Sequence, residues 1–340
     1  MWRQIIRGKD MHATAAGREK LQVSFPLSQF KLLQSRKKWG IIFALATVTG
    51  IFCATYSGGS FLTALSEKQQ TMVLASKLLL LPVASFLIIV GMYVLNDLFD
   101  ADIDQINGKK RPIPLGQVSK NQALAFVILS NATGVFIAIL SFSYASTVIA
   151  LMIVAIGLMY SIPKIALKDR FIIKTLSIAI SLMLCLLFGS TGIYSSTISR
   201  NSLYELIAPI YAASMLGFMI FVTSPLNDLG DISGDKEAGR RTIPIVIGRK
   251  NTIKMSIFLS CIMSGLSWIV YGLSPSSSNI GVITPLLVSL VVILTIANLR
   301  NLLKQLDNID FVRNFVHSKS MPFHILLQSV LTIGSLLYWI

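Results

Sequence analysis

The sequence reads Asn96-Asp97-Leu98-Phe99-Asp100-Ala101-Asp102-Ile103-Asp104 directly after a long apolar run. A second long apolar run is followed by Asn227-Asp228-Leu229-Gly230-Asp231-Ile232-Ser233-Gly234-Asp235. We refer to these stretches as the first and second acidic windows. Only 13% of the chain is charged, yet seven aspartates are concentrated in the two windows. Such a concentration of carboxylates in an apolar sequence predicts a specific role for them.

Both windows have the spacing N-D-x-x-D-x-x-x-D. On a helix that turns about 100° per residue, Asp97, Asp100 and Asp104 fall within about 60° of one another. The same holds for Asp228, Asp231 and Asp235. Asp102 points roughly away from this face. Three carboxylates on one face repel one another unless a cation lies among them. The alternative is that the windows are two solvated acidic loops.

The chemistry of the donors points to a hard cation. Mg²⁺ binds one or two carboxylates and completes its shell with phosphate oxygens and water. Two acidic faces therefore predict a diphosphate held between them through Mg²⁺. Each window also begins with an asparagine, which could supply a carbonyl oxygen, hold a metal-bound water or simply cap the helix end. The predicted metal ligands are Asn96, Asp97, Asp100, Asp104, Asn227, Asp228, Asp231 and Asp235.

The residues after the windows repeat as well. Arg111-Pro112-Ile113-Pro114 and Lys120-Asn121 follow the first window, and Arg241-Thr242-Ile243-Pro244 and Lys250-Asn251 follow the second. Each member of the second copy lies 130 or 131 residues after its counterpart, as Arg241 follows Arg111 and Asn227 follows Asn96. A constant offset of this kind predicts an internal duplication.

The composition indicates an integral membrane protein. The chain is 54% hydrophobic, with a mean hydropathy of +0.70, whereas soluble domains average about 25% charged residues. Cys53, Cys185 and Cys261 lie far apart inside apolar runs and predict neither a metal site nor a disulfide framework. We expect one bundle, with a basic segment over residues 1–39 and the membrane domain over residues 40–340.

Nine apolar runs follow the basic segment, and most approach the ~20 residues that cross a bilayer. We interpret them as helices because only helices and closed barrels satisfy the backbone in lipid. The fold class is therefore predicted as all-α, with nine transmembrane helices around a central cavity. The runs cover residues 40–63, 72–95, 121–141, 145–161, 173–194, 204–224, 253–273, 279–299 and 322–340.

The net charge of +15 is unevenly distributed. Lys and Arg concentrate in the N-terminal segment and in the loops around residues 109–120, 164–174, 236–254 and 300–319, while the intervening loops hold almost none. The positive-inside rule then places the N-terminus and both acidic windows in the cytoplasm of a multi-pass cell-membrane protein. Four spans separate the windows, which makes the predicted repeats parallel. This distribution marks topology and predicts no nucleic-acid binding.

The paired windows, the Arg111-Pro112-Ile113-Pro114 segment and the residues Gly234-Asp235-Lys236-Glu237-Ala238-Gly239-Arg240-Arg241-Thr242-Ile243-Pro244-Ile245 resemble the UbiA superfamily of intramembrane prenyltransferases. The resemblance runs from about residue 40 onward and is strongest to the archaeal branch that makes digeranylgeranylglyceryl phosphate. It implies Mg²⁺ bound by the Asn and Asp residues of the first window, whereas the family's second motif often begins with Lys where this sequence has Asn227. The first span lacks the Arg-Pro pair that the resemblance also implies, so acceptor contacts from that helix are not predicted.

Basic residues beside the windows are candidates for binding a diphosphate. A leaving diphosphate gains negative charge as its carbon–oxygen bond breaks, and arginine offers two parallel donors to it. The resemblance assigns this role to Arg111, and its position in the repeat extends the role to Arg241. Lys109 and Arg240 are further candidates. The alternative for all four is that they anchor the loops at the cytoplasmic surface.

Tyr160 and Lys164 close the fourth apolar run. The resemblance implies a tyrosine, and a lysine four residues later, near the diphosphate and the reacting carbon, which would make this pair catalytic. Lys168 takes the role of Lys164 if the register is shifted. A tyrosine and a lysine at a membrane interface are also common without any catalytic role.

The resemblance implies transfer of a prenyl group from a polyprenyl diphosphate to a lipophilic acceptor, with geranylgeranyl as the expected group. The acceptor is either a glyceryl ether phosphate or an aromatic ring of the quinone or tocopherol type. A cation transporter is the hypothesis from another class, because intramembrane carboxylates often mark ion paths. Both windows lie on one side of the membrane, however, and arginines beside them serve no purpose in cation transport.

Overall fold

A computed structural model describes residues 24–57, 68–106, 108–197, 206–274 and 280–337. Its elements in chain order are α1 (Phe25–Ser57), α2 (Lys68–Phe99), α3 (Ala101–Ile106), α4 (Lys120–Leu140), α5 (Tyr144–Ser161), a 3₁₀ turn (Leu167–Asp169), α6 (Phe171–Thr197), α7 (Ile207–Asn227), a second 3₁₀ turn (Asp228–Gly230), α8 (Ile232–Glu237), α9 (Ile243–Ile247), α10 (Arg249–Leu273), α11 (Ile283–Lys304) and α12 (Ile309–Leu336). The described residues contain no β-strand. The all-α prediction is confirmed.

Within these residues, eight helices are long and apolar enough to cross a membrane, namely α1, α2, α4, α5, α6, α7, α10 and α11. This is one fewer than the nine spans predicted. The ninth apolar run falls in α12, where Ser320, His324 and Gln328 lower the hydropathy of the helix. Residues 58–63 of the first predicted span and 338–340 of the last lie outside the described residues.

Helix α1 begins earlier than the sequence predicts. It starts at Phe25 and passes through residue 39 without interruption, so the basic run Arg36-Lys37-Lys38 lies inside a helix. Gln29 donates to the carbonyl oxygen of Gln122 on α4 at 3.3 Å, which packs the first turns of α1 on the bundle. The folded part of the chain therefore extends N-terminal to the predicted boundary at residue 39. Most of the predicted basic segment, residues 1–23, lies outside the described residues.

The long helices form a closed arrangement. Helix α1 packs against α2, α6 and α12, and α6 also packs against α5 and α7. Helix α7 contacts α10, α10 contacts α11, and α11 contacts α12, which closes the arrangement against α1. Large apolar side chains at its centre are fully buried, among them Phe43, Ile88, Phe188 and Leu216.

Two glycines bring α1 and α6 into backbone contact. A Cβ atom added at Gly50 would overlap the carbonyl oxygen of Leu186, and one added at Gly189 would overlap the carbonyl oxygen of Thr47. The Thr47 hydroxyl also donates to the carbonyl oxygen of Cys185 at 3.0 Å. Small residues let membrane helices approach closely, and this approach holds the two central helices together.

Gly50→Val is therefore expected to destabilise the bundle. The added side chain cannot be accommodated without moving α6, and overpacking of this kind typically costs about 1–3 kcal/mol or more. Thermal unfolding of detergent-solubilised protein measures the effect. Gly265→Val is the matched control because a Cβ there meets nothing within 4 Å. Equal Tm values for the two variants would show that the α1–α6 contact contributes little.

Each acidic window joins a long helix to a short one. The first runs from the end of α2 into α3, and the second runs from the end of α7 through the 3₁₀ turn into α8. Both short helices end in the same way. The carbonyl oxygens of Asp104 and Asp235 each accept a hydrogen bond at 2.8 Å from the residue five positions later. Gly108 and Gly239 supply the positive φ angles, 67° and 69°, that this turn requires.

This match fixes the local register of the repeat at 131 residues. Gly239 follows Gly108 by that offset, and Arg240 then corresponds to Lys109. By the same offset Arg241 corresponds to Lys110 and not to Arg111. The two windows are alike in local structure, as a duplication predicts, while the parallel repeat of the complete halves stays a prediction.

Candidate active site

The two acidic windows lie side by side, because α3 and α8 pack against each other. Most of the predicted aspartates are buried although they are charged, and Asp97 is only 1% exposed. Asp231 is half-buried, and Asp102 is exposed as its position off the acidic face predicts. Buried carboxylates require compensating charges or hydrogen bonds, and the surrounding helices and loops supply them.

Two arginines bind Asp97. The Nε atom of Arg36, which reaches across from α1, donates to Asp97 Oδ2 at 2.6 Å, and its guanidinium makes a second contact with the same carboxylate. Arg111 Nη1 donates to Asp97 Oδ1 at 2.6 Å and also pairs with Asp104. The ring of Tyr93 lies 5.5 Å from the guanidinium carbon of Arg36. The first window is therefore tied both to α1 and to the loop that follows α3.

Arg240 joins the two windows. It pairs with Asp100 of the first window and lies 3.2 Å from Asp235 of the second, and its Nε atom donates to Asp169 at 2.8 Å. Lys168 donates to Asp100 at 2.7 Å and to Asn96 Oδ1 at 3.3 Å. Asp100 thus accepts from two cations on different segments.

The charges around the contact between the two windows determine the protonation of Asp100 and Arg240. Burial alone would raise the pKa of Asp100, but the positive charges of Lys168 and Arg240 outweigh it, and the pKa lies below its ordinary value. Burial acts to lower the pKa of Arg240, but Asp100, Asp235 and Asp169 outweigh it and raise that pKa. Both groups therefore stay charged at neutral pH.

Two lysines complete the set around the second window. Lys174 at the start of α6 donates to Asp228 at 2.6 Å. Lys109 donates to Asp231 at 2.6 Å and lies 3.6 Å from Asp104, so it is a second link between the windows. The site is a network in which cations from five segments hold two acidic faces together.

Some predicted residues lie outside this network. Lys164 is exposed and makes no ion pair among the described residues. Lys168, the alternative to Lys164, pairs with Asp100 instead. Arg241 is likewise exposed, because the one-residue difference in register gives Arg240 the inward position. Asn227 is half-buried, and the structure describes no hydrogen bond from its side chain.

Three cations of the network were not predicted as site residues. Arg36 belongs to the predicted basic segment over residues 1–39. Lys168 and Lys174 belong to the basic loop around residues 164–174, where Lys168 is also the alternative to Lys164. Ser28, Leu32 and Arg36 lie on one face of α1 and are all buried, but this burial is visible only in the fold and not in the local sequence. Lys168 and Lys174 carry no local signal, because their partners come from distant segments.

A partly open cavity adjoins the first window, and its empty volume of about 480 Å³ includes the solvent at its mouth. Most of its lining is apolar and includes Phe43, Ile89 and Ile153. Asn96 and Tyr160 form its polar end. Ser161 also lines it, and the Ser161 hydroxyl is buried without a hydrogen-bond partner. Helices α1, α2, α5 and α6 all contribute to the wall. The cavity gives an apolar chain a place directly beside the charged network.

The donor set suits a hard cation. Carboxylate and amide oxygens are what Mg²⁺ prefers, and Asp235 Oδ2 is buried with no hydrogen-bond partner, which leaves one ligand atom available. In the part of the chain that the structure describes, no three His, Cys, Asp or Glu side chains converge as they would around a bound metal ion. The carboxylates instead contact cationic side chains. A metal ion could replace these cations at the carboxylates only if the cationic side chains turned toward an anionic ligand.

The fold and the site define a polytopic membrane protein in which two acidic windows and their cations meet beside an apolar cavity. The chain belongs to the UbiA prenyltransferase family, whose family model matches residues 44–318. This membership confirms the predicted superfamily and sets aside the transporter hypothesis.

The chain is 32% identical over 190 residues to a digeranylgeranylglyceryl phosphate synthase from Thermococcus sibiricus, a match that covers 55% of this chain and 61% of the relative. It spans less than two thirds of the length of the curated relatives it matches. A solved structure of a digeranylgeranylglyceryl phosphate synthase in membranes has a TM-score of 0.60 at 21% identity, covering 92% of this chain and 99% of that one. A UbiA homologue from Archaeoglobus fulgidus bound to GPP and Mg²⁺ has a TM-score of 0.58 at 17% identity, covering 92% and 99%. These structures establish the shared fold.

Proposed function

We propose that this protein transfers a prenyl group from a polyprenyl diphosphate to a lipophilic acceptor and that the acceptor is geranylgeranylglyceryl phosphate. The observation that carries the proposal is the charged network of the two windows at the polar end of an apolar cavity. One molecule with a diphosphate head and a prenyl tail matches both parts. The name of the Thermococcus sibiricus relative supports this acceptor, and the ligands of the Archaeoglobus fulgidus homologue support the donor and Mg²⁺.

The diphosphate would lie between the windows. The aspartates of both windows, with Asn96 and Asn227, would hold Mg²⁺, which when bound draws negative charge off the diphosphate oxygens. Arg111, Lys109 and Arg240 already reach these aspartates, and they would turn toward the phosphate oxygens once the metal neutralises the carboxylates. Arg36, Lys168 and Lys174 extend this set.

The transfer exchanges one carbon–oxygen bond for another. The bond between C1 of the prenyl group and the diphosphate oxygen breaks, and the electron pair leaves with the diphosphate. The acceptor hydroxyl oxygen forms an ether bond to C1, and its proton passes to the departing diphosphate. The apolar wall of the cavity excludes water, which would otherwise capture the electron-poor C1.

Tyr160 is proposed to face the reacting carbon. It lines the cavity, as Asn96 does. The face of an aromatic ring carries partial negative charge and stabilises a nearby cation. Lys164 is replaced in the proposed catalytic pair by Lys168, which contacts both Asn96 and Asp100.

We further propose that the windows face the cytoplasm of a cell membrane. The basic residues of the network and the other basic loops lie at the same ends of the spans, and positively charged loops remain on the cytoplasmic side. The donor and the diphosphate product would then enter and leave from the cytoplasm.

The floor of the cavity is expected to set the length of prenyl chain that the enzyme accepts. Ser181 lines the cavity one turn beyond Ser177 on α6. Ser181→Leu would fill this part and should lower kcat/KM for geranylgeranyl diphosphate by roughly 10-fold to 100-fold, the range that a filled pocket produces. Geranyl diphosphate, which is shorter, should be affected far less. Ser181→Ala is the control, and equal losses with both donors would place the tail elsewhere.

The proposal is tested with labelled geranylgeranyl diphosphate, Mg²⁺ and geranylgeranylglyceryl phosphate added to membranes that contain the protein. Labelled diether lipid is expected, and it should disappear when EDTA removes Mg²⁺. Parallel reactions contain 4-hydroxybenzoate, homogentisate or dihydroxynaphthoate in place of the lipid acceptor. Product only in these reactions would keep prenyl transfer and overturn the lipid acceptor.

A further inference from the structure

We propose that Arg170 and Arg241 form a separate phosphate-binding site that takes the phosphate monoester of the acceptor lipid. The inference rests on the proposed function, because it concerns how that acceptor is recognised. Its basis is that the cations near the windows divide into two groups with different surroundings.

The inner group is fully engaged. Each of its members pairs with an aspartate of the windows, and the members are Arg36, Lys109, Arg111, Lys168, Lys174 and Arg240. Arg170 and Arg241 lie on the same two segments as Lys168 and Arg240. Their side chains are exposed, and neither makes an ion pair among the described residues. Two arginines next to the site therefore remain available for a ligand from outside.

These two arginines come from segments that touch. The backbone N–H of Arg241 donates to the carbonyl oxygen of Asp169 at 3.1 Å, which places Arg241 against the residue that precedes Arg170. The Asp169 carboxylate is bound by Arg240 at 2.8 Å. This carboxylate therefore pairs with the inner group and makes no ion pair with Arg170 or Arg241 among the described residues.

A helix terminus adds to this field. Arg170 immediately precedes α6, a helix of 27 residues, and the carbonyl oxygen of Arg170 accepts from Lys174 N in its first turn. The unpaired backbone N–H groups at such a terminus favour an anion. Together with the two guanidinium groups they match a phosphate, which arginine binds through two parallel hydrogen bonds.

The location suits a lipid headgroup. Residues 162–170 connect α5 to α6, and both helices line the cavity. Because two membrane spans end here, the loop lies where lipid phosphates lie. An acceptor whose chain follows α5 and α6 would bring its phosphate to Arg170 and Arg241 and its hydroxyl toward the windows, where the donor diphosphate occupies the inner cations.

The test compares the Arg170→Gln/Arg241→Gln double variant with wild type in detergent micelles free of phospholipid. At saturating prenyl diphosphate, the KM for geranylgeranylglyceryl phosphate should rise roughly 10-fold to 100-fold, as expected when two charged hydrogen-bond donors are lost. The KM for the prenyl diphosphate should not change. Geranylgeranylglycerol, which lacks the phosphate, should be used equally by both proteins. Arg300→Gln, an exposed arginine on α11 away from α5 and α6, is the control.

The remaining outcomes overturn the inference in distinguishable ways. A higher KM for the prenyl diphosphate would assign the two arginines to the donor. A loss seen only in bilayers of anionic lipid, and not in micelles, would assign them to membrane headgroups. Unchanged constants would show that they bind no substrate. Wild-type protein that used only aromatic acceptors would overturn the proposed function itself, and the inference with it.

Discussion

Asp228→Asn is expected to lower kcat for prenyl transfer by about 10²–10³-fold or more while the protein remains folded. Asp228 is buried in the second window and its carboxylate is a proposed Mg²⁺ ligand. The substitution keeps the shape of the side chain but removes the negative charge, so the charge on the leaving diphosphate is no longer neutralised. Losing one stabiliser of a developing charge typically has an effect of this size. Transfer of labelled prenyl groups at saturating Mg²⁺ measures it.

Asp102→Asn is the matched control for this experiment. Asp102 belongs to the first window but is exposed and off the acidic face, so the same change there should leave kcat near the wild-type value. Asp97→Asn, in the first window, should match Asp228→Asn if both windows hold the same diphosphate. Wild-type turnover in Asp228→Asn, with its fold verified by size-exclusion chromatography, would refute the metal assignment.

Arg240→Ala is expected to produce the largest loss of stability of any single change at the site. Arg240 binds Asp100, Asp235 and Asp169, and its side chain is only 10% exposed. Its removal leaves two buried carboxylates short of a partner, and breaking a buried ion pair in this way costs about 3–5 kcal/mol. A cost of this size corresponds to a fall in Tm of roughly 4–7 °C, which thermal unfolding in detergent can measure.

The neighbouring residue provides the comparison. Arg241→Ala removes the same charge from the next position in the chain, but Arg241 is exposed and makes no ion pair among the described residues. Its Tm should remain within about 1–2 °C of wild type, because most surface substitutions change stability by less than about 0.5 kcal/mol. Equal destabilisation by the two substitutions would contradict the central position assigned to Arg240.

This pair of arginines also shows how far the sequence could predict the site. Window spacing on an ideal helix predicts which aspartates share a face, whereas in the fold each window is divided between a long helix and a short one. The choice between Arg240 and Arg241 depends instead on a single turn at Gly239, whose positive φ fixes the register. Aligning Arg241 with Arg111 through the shared Ile-Pro segment gives an offset of 130 residues, one residue short of the offset between the two turns.

Arg36 illustrates a second limit. The helices were predictable because hydrophobic runs are local, and seven of the nine predicted runs, together with most of the first, fall in spans that the structure describes. The basic run around Arg36 predicts the membrane boundary of the first span. In the fold, α1 continues through it, and the buried face of the helix carries Arg36 to Asp97. A contact between residues 61 positions apart has no signature in the local sequence.

A competition between acceptors is the most direct test of the proposed prenyl transfer to geranylgeranylglyceryl phosphate. The protein is supplied with labelled geranylgeranyl diphosphate, Mg²⁺ and an equimolar mixture of geranylgeranylglyceryl phosphate and aromatic acids, and the products are identified by mass spectrometry. We expect the label in a diether glyceryl phosphate, with none when EDTA is present. Label in a prenylated aromatic ring, or transfer that persists without Mg²⁺, would contradict the account.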